Sequence, residues 1–467
     1  MSYEINWPVP FFKVHCLIMD SNTSSLPKGF YRITILIGLG FFTMGLMDPL
    51  YDTYVPIFLS DFLDSRFLIG LIMTLDNLLA LFLIPIVSNL SDSTHTRIGR
   101  RMPWILITVP LSGIFFALIP YGALPTGSLA LLVFVIFVLN LAKQAARGPV
   151  VALMPDTIPG EYRSEANGVI NTMGAIAAIV GTIVLAPLID LDITLPIIGS
   201  TQRRLPFLIS GLLVIIATIL LFSFVRESAE AKQKRERVRL LDSLKLVFGG
   251  TDRSAMLILL SLFFWFLGYQ GVLPFMGIYS REVLGVSEGL AGLSPGAVAI
   301  GYLIMAIPSG VIAHRFGRRR VIRFSLACII ITLLLMFLHN PLMSLLGVAA
   351  TPAWIVFLAI LFLFGMAWGS VITNSFPMLW QMAHFGNMGI YTGLYYFFSQ
   401  GAAITSPPIS GAVIDLFTLA FGDSTGLRMI FVYAAIMMSV ALIIMGKVQG
   451  GEVGEAPVHP ETGESGE

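Results

Sequence analysis

The chain contains twelve long apolar runs, and these runs restrict its fold more than any other feature. A transmembrane helix needs roughly 20 mostly apolar residues. The runs lie at residues 30–57, 66–90, 103–122, 128–153, 165–189, 205–225, 255–279, 293–313, 321–338, 352–380, 387–415 and 427–446. One long polar segment, residues 226–254, divides them into two sets of six. We therefore predict an all-α, polytopic membrane protein with twelve transmembrane helices, numbered helix 1 to helix 12.

The segments between and around these runs define the predicted domains. We expect an N-terminal tail at 1–29, a six-helix bundle at 30–225, a linker at 226–254 and a second six-helix bundle at 255–446. The linker has apolar residues at helical spacing, which predicts an amphipathic helix lying on the membrane surface. The tail at 447–467 is rich in Gly and Glu, and we expect it to be disordered.

The composition excludes several functional classes. Only 12% of the residues are charged, about half the roughly 25% of a soluble chain. The two cysteines, Cys16 and Cys328, are far apart, so no disulfide framework or zinc site is expected. The sequence contains no P-loop and no pairing of a nucleophile with histidine, and the N-terminus lacks the pattern of a signal peptide. We expect no enzymatic activity, cofactor, metal or nucleic-acid partner, and a monomer in the lipid bilayer.

A short motif occurs twice, half a chain apart. Ser88–Trp104 reads SNLSDSTHTRIGRRMPW, and Gly310–Arg320 reads GVIAHRFGRRR, each between two apolar runs. Either loop alone could simply anchor its helices to lipid headgroups, but two copies in register favour a transporter built from two related bundles. The counterpart of Asp92 in the second copy is His314, so the copies are not equivalent.

The distribution of basic residues predicts the orientation. The loops on the side of the N-terminus hold most of the loop Lys and Arg, including both Gly-Arg-Arg motifs. By the positive-inside rule, we expect both termini and the central linker in the cytoplasm of a protein of the cell membrane.

Three further segments carry a resemblance to a known family. Ile84–Ile105, Gly148–Asp156 with Arg163–Gly168, and Tyr391–Ser399 with Pro407-Pro408 are similar to segments of plant sucrose/proton symporters and their animal and bacterial relatives. These symporters belong to the major facilitator superfamily. The acidic residue in helix 2 and the PWILI start of helix 3 also resemble the glycoside–pentoside–hexuronide cation symporters.

The resemblance implies two pseudo-symmetric six-helix bundles, sugar transport by alternating access, and a central cavity lined by helices 1, 4, 7 and 10. The chain also departs from the plant pattern. The helix 4 aspartate that is believed to take the proton is Asn140 here, and the acidic pair of helix 7 falls near Phe275 and Gly277. Proton coupling therefore cannot be carried over by those positions.

Polar and aromatic residues within the predicted helices are the candidates for binding, because ionisable groups at membrane depth are costly. A sugar needs polar partners at its rim and aromatic faces for its C–H groups. We predict ten substrate-binding residues: Asp48, Asp52, Asn140, Lys143, Gln144, Arg147, Tyr269, Gln270, Asn374 and Tyr395. Helix 10 also offers Trp368, although any single aromatic is more often a packing residue. Asp76, near the middle of helix 2, is the candidate for cation coupling, and its alternative is a structural ion pair with Lys143.

A second group of polar residues predicts a cytoplasmic gate. Its members are Asp92, Arg97, Arg100, Arg101, Asp156 and Arg163. We expect Asp92 to lie near a helix N-terminus of the other bundle and an arginine to bridge to Asp156. These contacts are expected only in the outward-open state, where they would shift the conformational equilibrium without touching substrate.

The sequence thus predicts a secondary transporter for a sugar, either a di- or oligosaccharide or a glycoside, coupled to H⁺ or Na⁺. Three alternatives remain open: an uncoupled sugar facilitator, a transporter of another polar solute such as a nucleoside or drug, and a non-transporting membrane sensor on the same fold.

Overall fold

The computed structural model describes residues 29–123, 127–159, 162–196, 199–225, 227, 254–381 and 388–451. Within these residues it contains twelve helices long and apolar enough to cross a membrane. This confirms the predicted all-α polytopic fold. The predicted amphipathic helix of the linker lies outside the described residues, as do almost all of the N-terminal tail and most of the C-terminal tail.

The first six helices occupy residues up to 224. Their bounds are Phe30–Ser60, Arg66–Ser93, Met102–Gly122, Leu129–Thr157, Arg163–Asp190 and Leu205–Phe224. Between helices 5 and 6, two short strands, Thr194–Leu195 and Gly199–Ser200, pair antiparallel. The last six helices are Ser254–Glu282, Glu288–Phe316, Arg318–Leu345, Ala350–Gln381, Met388–Phe421 and Asp423–Gly446.

Local sequence explains where several helices begin. The Ser65, Ser128 and Ser287 side chains each accept a backbone N–H of the following turn, at the starts of helices 2, 4 and 8. Gly317 and Gly422 adopt positive φ angles of 91° and 84°, which allows a sharp turn between consecutive helices. Several helices extend beyond the predicted apolar runs, since an apolar window detects only the part of a helix that lies in hydrocarbon.

Four helices are interrupted. Helix 2 breaks at Thr74 into Arg66–Met73 and Leu75–Ser93, so Asp76 lies in the first turn of the second piece. Helices 5 and 7 contain π- or 3₁₀-helical turns near their ends, and helix 8 begins with the separate short turn Glu288–Ala291. Such irregular backbone is tolerated at membrane depth where it is buried in protein or lines a cavity. The sequence did not predict the break that places Asp76.

Aromatic clusters pack the core of each half. In the first half, Phe207 of helix 6 contacts Phe116 of helix 3 and Phe58 of helix 1, with ring centroids 5.0 and 5.6 Å apart. In the second half, Tyr279 of helix 7 packs on Phe431 of helix 12 at 4.9 Å. Rigid packing of this kind lets each half move as a unit.

The two halves meet where helices 1 and 7 end and helices 2 and 8 begin. We call this region the joined end, defined by residues 60–67, 187–196, 199–204, 281–292 and 411–415. Helix 2 lies against helix 11 there, and helix 5 against the start of helix 8. The loop that carries Arg100 and Arg101 lies at the opposite end of helix 2.

Candidate functional site

A cluster of charged residues lies where helices 1, 2 and 4 come together. The Lys143 ammonium of helix 4 forms an ion pair with the Asp48 carboxylate of helix 1. The Lys143 side chain is 9% exposed, whereas that of Asp48 is 49% exposed. The Lys143 Nζ also lies 5.4 Å from the centroid of the Tyr51 ring, which is within range for a cation–π interaction. A buried cation is thus held by a carboxylate that reaches water.

Two further carboxylates complete this cluster. Asp52 and Asp76 both interact electrostatically with Lys143. The Asp76 Oδ1 accepts hydrogen bonds from the backbone N–H and the side-chain amide of Asn77, at 2.6 and 2.8 Å. The sequence left open a structural ion pair between Asp76 and Lys143. The structure shows the Lys143 ammonium in ion-pair contact with Asp48 instead. Three carboxylates therefore share one buried ammonium.

Two amides of helix 4 extend the cluster. The Asn140 side chain donates from Nδ2 to the Tyr51 hydroxyl at 2.8 Å. Asn140 Oδ1 and Gln144 Oε1 are buried, and neither has a hydrogen-bond partner among the described residues. An unsatisfied buried acceptor is costly, which favours a bound donor such as a hydroxyl at this place.

Aromatic rings of helices 7 and 10 face a cavity beside this cluster. The Tyr269 ring stacks on the Trp368 ring with centroids 4.3 Å apart and planes 1° apart. Both rings line a cavity of about 420 Å³, together with Thr53 of helix 1 and residues of helices 5 and 8. Asp52, next to Thr53 in the chain, interacts electrostatically with Tyr269. The polar cluster and the aromatic wall thus adjoin each other across the two halves.

The remaining predicted binding residues lie outside this group. Asn374 is buried, and its amide donates to the Ser370 carbonyl of its own helix at 2.8 Å. Tyr395 packs on the Phe376 ring at 4.1 Å, and its hydroxyl lies 3.3 Å from the Ser375 hydroxyl. Gln270 is half-buried beside Tyr269, whereas Arg147 is exposed and interacts electrostatically with Asp76.

The predicted gate residues form a compact network around Arg101. Its guanidinium pairs with Asp92, donates from Nε to Asp156 at 2.9 Å, and donates to the Ser91 hydroxyl at 2.9 Å. Burial lowers the pKa of Arg101, but the hydrogen bonds and charges of Asp156 and Asp92 outweigh it and raise this pKa above its usual value. Arg101 therefore remains charged while it ties the end of helix 2 to the end of helix 4.

Other gate residues support or flank this network. The Arg100 guanidinium lies 3.2 Å from Asp156 and 3.5 Å from the Glu227 carboxylate. Arg163 donates to the Pro155 and Ile158 carbonyls at 2.7 and 3.2 Å, which satisfies the C-terminal end of helix 4. Arg97 is exposed.

The dependence of this network on the conformational state stays a prediction, but the pairing of Asp92 differs from the one expected. Asp92 pairs with Arg101 of its own half, and the network is complete while the opposite end of the bundle is joined.

Several residues of the site could not be predicted from the sequence. In the sequence, Tyr51 looks like any other aromatic residue within an apolar run. In the structure its hydroxyl accepts from Asn140, and its ring lies beside the Lys143 ammonium. Its spacing to Asp48, three residues along helix 1, is the only signal that could have identified it. Glu227, at the start of the linker, accepts the Arg101 backbone N–H at 2.8 Å.

Comparison with known proteins decides the family. The model of the Major Facilitator Superfamily matches residues 37–407 and 258–464, which together cover most of the chain. The chain belongs to the Major Facilitator Superfamily. It is therefore a multi-pass membrane protein of a transporter family, with a fold and family that are those of transporters and not of enzymes.

Individual relatives in this superfamily match over shorter regions. The lactose permease of Lactobacillus helveticus is 28% identical over an alignment of 200 residues that covers 37% of this chain and 30% of the permease. The MFS transporter asaE of Aspergillus flavus is 29% identical over 142 residues, 30% of this chain and 29% of that protein. The matches thus span less than a third of the length of these curated relatives.

Solved structures match over nearly the whole chain but at low identity. A bacterial homologue of the human lysosomal transporter Spinster aligns with a TM-score of 0.69 at 14% identity, covering 89% of this chain and 96% of that one. A D-xylose–proton symporter aligns with a TM-score of 0.66 at 15% identity, covering 91% and 99%. The nucleoside transporter NupG aligns with a TM-score of 0.68 at 14% identity, covering 89% and 100%. These likenesses show the fold.

Proposed function

We propose that this chain transports a sugar, either a di- or oligosaccharide or a glycoside, by alternating access. The observation that carries the proposal is the closeness of the polar cluster on helices 1, 2 and 4 to the stacked Tyr269 and Trp368 rings, with Asp52 interacting electrostatically with Tyr269. A pyranose has hydroxyl groups at its rim and C–H groups on its faces, so it matches both surfaces at once.

The polar cluster beside the cavity supplies both kinds of hydrogen-bond group. Asp48 and Asp52 are acceptors, Lys143 is a donor, and the free amide oxygens of Asn140 and Gln144 accept from hydroxyls. The lactose permease and the D-xylose–proton symporter among the similar proteins also support a sugar.

We further propose that a cation, H⁺ or Na⁺, couples to transport at Asp76. Lys143 forms its ion pair with Asp48, which leaves the Asp76 carboxylate with hydrogen bonds from Asn77 only, among the described residues. A carboxylate without an ion-pair partner at membrane depth favours binding of a cation. With Asn140 in place of the plant aspartate, Asp76 is the acidic residue that helix 2 brings to this cluster.

The placement in the cell is part of the same proposal. The two Gly-Arg-Arg loops would lie in the cytoplasm of a cell-membrane protein, with both termini on that side. The joined end would then face outward, and the Arg101 network would hold the cytoplasmic ends of helices 2 and 4 together. The transporter would act as a monomer, because substrate, cation and gate residues all come from one chain.

A sugar panel in proteoliposomes tests the proposal. Counterflow of radiolabelled lactose, maltose, sucrose and xylose is compared with counterflow of a nucleoside, uridine, which represents the second candidate. The stacked aromatic pair could also hold a planar base, and NupG transports nucleosides, so uridine is the informative competitor. We expect counterflow of at least one sugar, and a higher half-saturating concentration of that sugar in Lys143→Met. Counterflow of uridine alone would replace the sugar with a nucleoside.

A further inference from the structure

We propose that two matching clamps hold the joined end shut, and that both must release before this end can open. In each clamp, an aspartate of one half accepts hydrogen bonds from a backbone N–H at the start of a helix of the other half. This inference concerns the conformational equilibrium and does not depend on which solute is transported.

The first clamp joins helix 11 to helix 2. The Asp415 carboxylate accepts the backbone N–H of Arg66 at 2.7 Å and that of Phe67 at 3.0 Å. It also accepts the Ser65 hydroxyl at 2.7 Å. The first N–H groups of a helix have no partner within the helix, and a negative charge there is favourable. Asp415 thus satisfies donors that water would otherwise have to satisfy.

The second clamp joins helix 5 to helix 8. Both oxygens of the Asp190 carboxylate lie within hydrogen-bond distance of the Gly289 backbone N–H, at 3.1 and 3.2 Å. The neighbouring Glu288 carboxylate accepts two hydrogen bonds from the guanidinium of Arg203 of the first half, at 2.7 and 2.9 Å. This planar, two-bond geometry makes the second clamp directional as well as charged.

The two clamps correspond to each other in chain order. The first uses helices 2 and 11, and the second uses helices 8 and 5, so each helix is shifted by six. The capping serines Ser65 and Ser287 occupy the same place, directly before the clamped turn. The pseudo-symmetry of the two bundles that the resemblance implies would exchange the clamps. The clamps are therefore a second repeated feature of the two halves, located at the end opposite the Gly-Arg-Arg loops.

Glycines let the helices approach closely enough for these bonds to form. A Cβ added to Gly70 would overlap the Pro407 carbonyl, and one added to Gly411 would overlap the Arg66 carbonyl. In the second clamp, a Cβ on Gly289 would overlap the Asp190 carboxylate itself. At the first crossing the overlap is with backbone, so a single methyl group would separate the two helices, whereas at the second crossing it is with the Asp190 side chain.

Further ion pairs between the halves surround the clamps. Arg66 pairs with Glu282 at 2.8 Å, and Arg281 pairs with Asp61 at 3.1 Å. The side chains of Arg281 and Asp61 are 24% and 29% exposed, and exposed pairs contribute little. Hydrogen bonds from neutral backbone donors to a carboxylate contribute more than such exposed ion pairs. Losing one clamp is therefore expected to raise the population with the joined end open about tenfold.

The test measures distances between spin labels on the full-length chain in lipid nanodiscs, with Cys16 and Cys328 replaced by serine. One label pair, at D64C and A420C, spans the joined end. A second pair, at H95C and R320C, spans the opposite end. Asp64, Ala420, His95 and Arg320 are all exposed.

The clamp variants are Asp415→Ala and Asp190→Ala, each with a matched control. Asp423→Ala removes an exposed carboxylate from the start of helix 12, and Asp192→Ala removes one that accepts from Ser200 of its own half. Gly411→Ala tests the close approach without changing charge, and its control on the same helix is Gly393→Ala, where the added methyl meets nothing within 4 Å.

We expect each clamp variant and Gly411→Ala to lengthen the joined-end distance while the opposite-end distance shortens. The double variant Asp190→Ala/Asp415→Ala should shift both further, and the controls should match the wild type. Opposite changes at the two ends distinguish a switch from a loss of packing. Variants that match their controls, that broaden both ends together, or that respond at only one clamp would overturn the proposal.

Discussion

Lys143→Met removes the one ammonium that three carboxylates share while keeping a similar side-chain volume. Breaking a fully buried ion pair costs about 3–5 kcal/mol, because the remaining charge stays buried without a partner. The Asp48 side chain is 49% exposed and can be solvated, so we discount the cost to about 1–2 kcal/mol. If the cluster binds sugar, this corresponds to about a tenfold increase in the sugar concentration that half-saturates counterflow.

The assay is counterflow of the sugar identified in the panel, with two further variants beside Lys143→Met. Lys143→Arg keeps the charge and should lose less. Lys143→Met/Asp48→Asn removes the unpaired carboxylate and should recover part of the affinity, since residues in direct contact are not additive. Equal losses in the single and double variants would refute the ion pair as part of the binding site.

Three further predictions test separate parts of the structure. Arg101→Ala removes three contacts that tie helix 2 to helix 4, and it should slow transport strongly while equilibrium sugar binding stays near normal; parallel loss of binding would contradict a gating role. Trp368→Ala removes the ring stacked on Tyr269 and should weaken binding about tenfold in calorimetry, whereas unchanged affinity would show that the aromatic wall only packs. Arg203→Glu and Glu288→Arg should each open the joined end in the label-distance measurement, and the combined swap should restore the wild-type distances; a swap no better than the single variants would argue against their direct pairing.

The sequence predicted the architecture well because hydrophobic length is a local property. All twelve helices follow from apolar runs of membrane-spanning length, and a buried Lys143 among acidic residues follows from the cost of charge in hydrocarbon. The candidate cluster of Asp48, Asp52, Asp76 and Lys143 is brought together by the fold as that cost suggests.

The pairing within the cluster and between the halves depends on tertiary geometry that periodicity does not encode. The break at Thr74 sets where Asp76 lies, and nothing in the apolar pattern marks it. Asp415 and Asp190 lie far in sequence from Arg66 and Gly289, so only packing of the two halves reveals the clamps. The bridge from an arginine to Asp156 was expected from the sequence, but the pairing of Asp92 with Arg101 of its own half was not.

The most direct test of the account is gradient-driven uptake of labelled sugar by the wild type and by Asp76→Asn in proteoliposomes. Asparagine keeps the size of the side chain but cannot take a proton or supply a negative charge to Na⁺. We predict that the wild type accumulates sugar under a proton or sodium gradient, and that Asp76→Asn loses accumulation but keeps counterflow, which requires no net cation movement. Undiminished accumulation by Asp76→Asn, or no accumulation by the wild type under either gradient, would contradict coupling at Asp76.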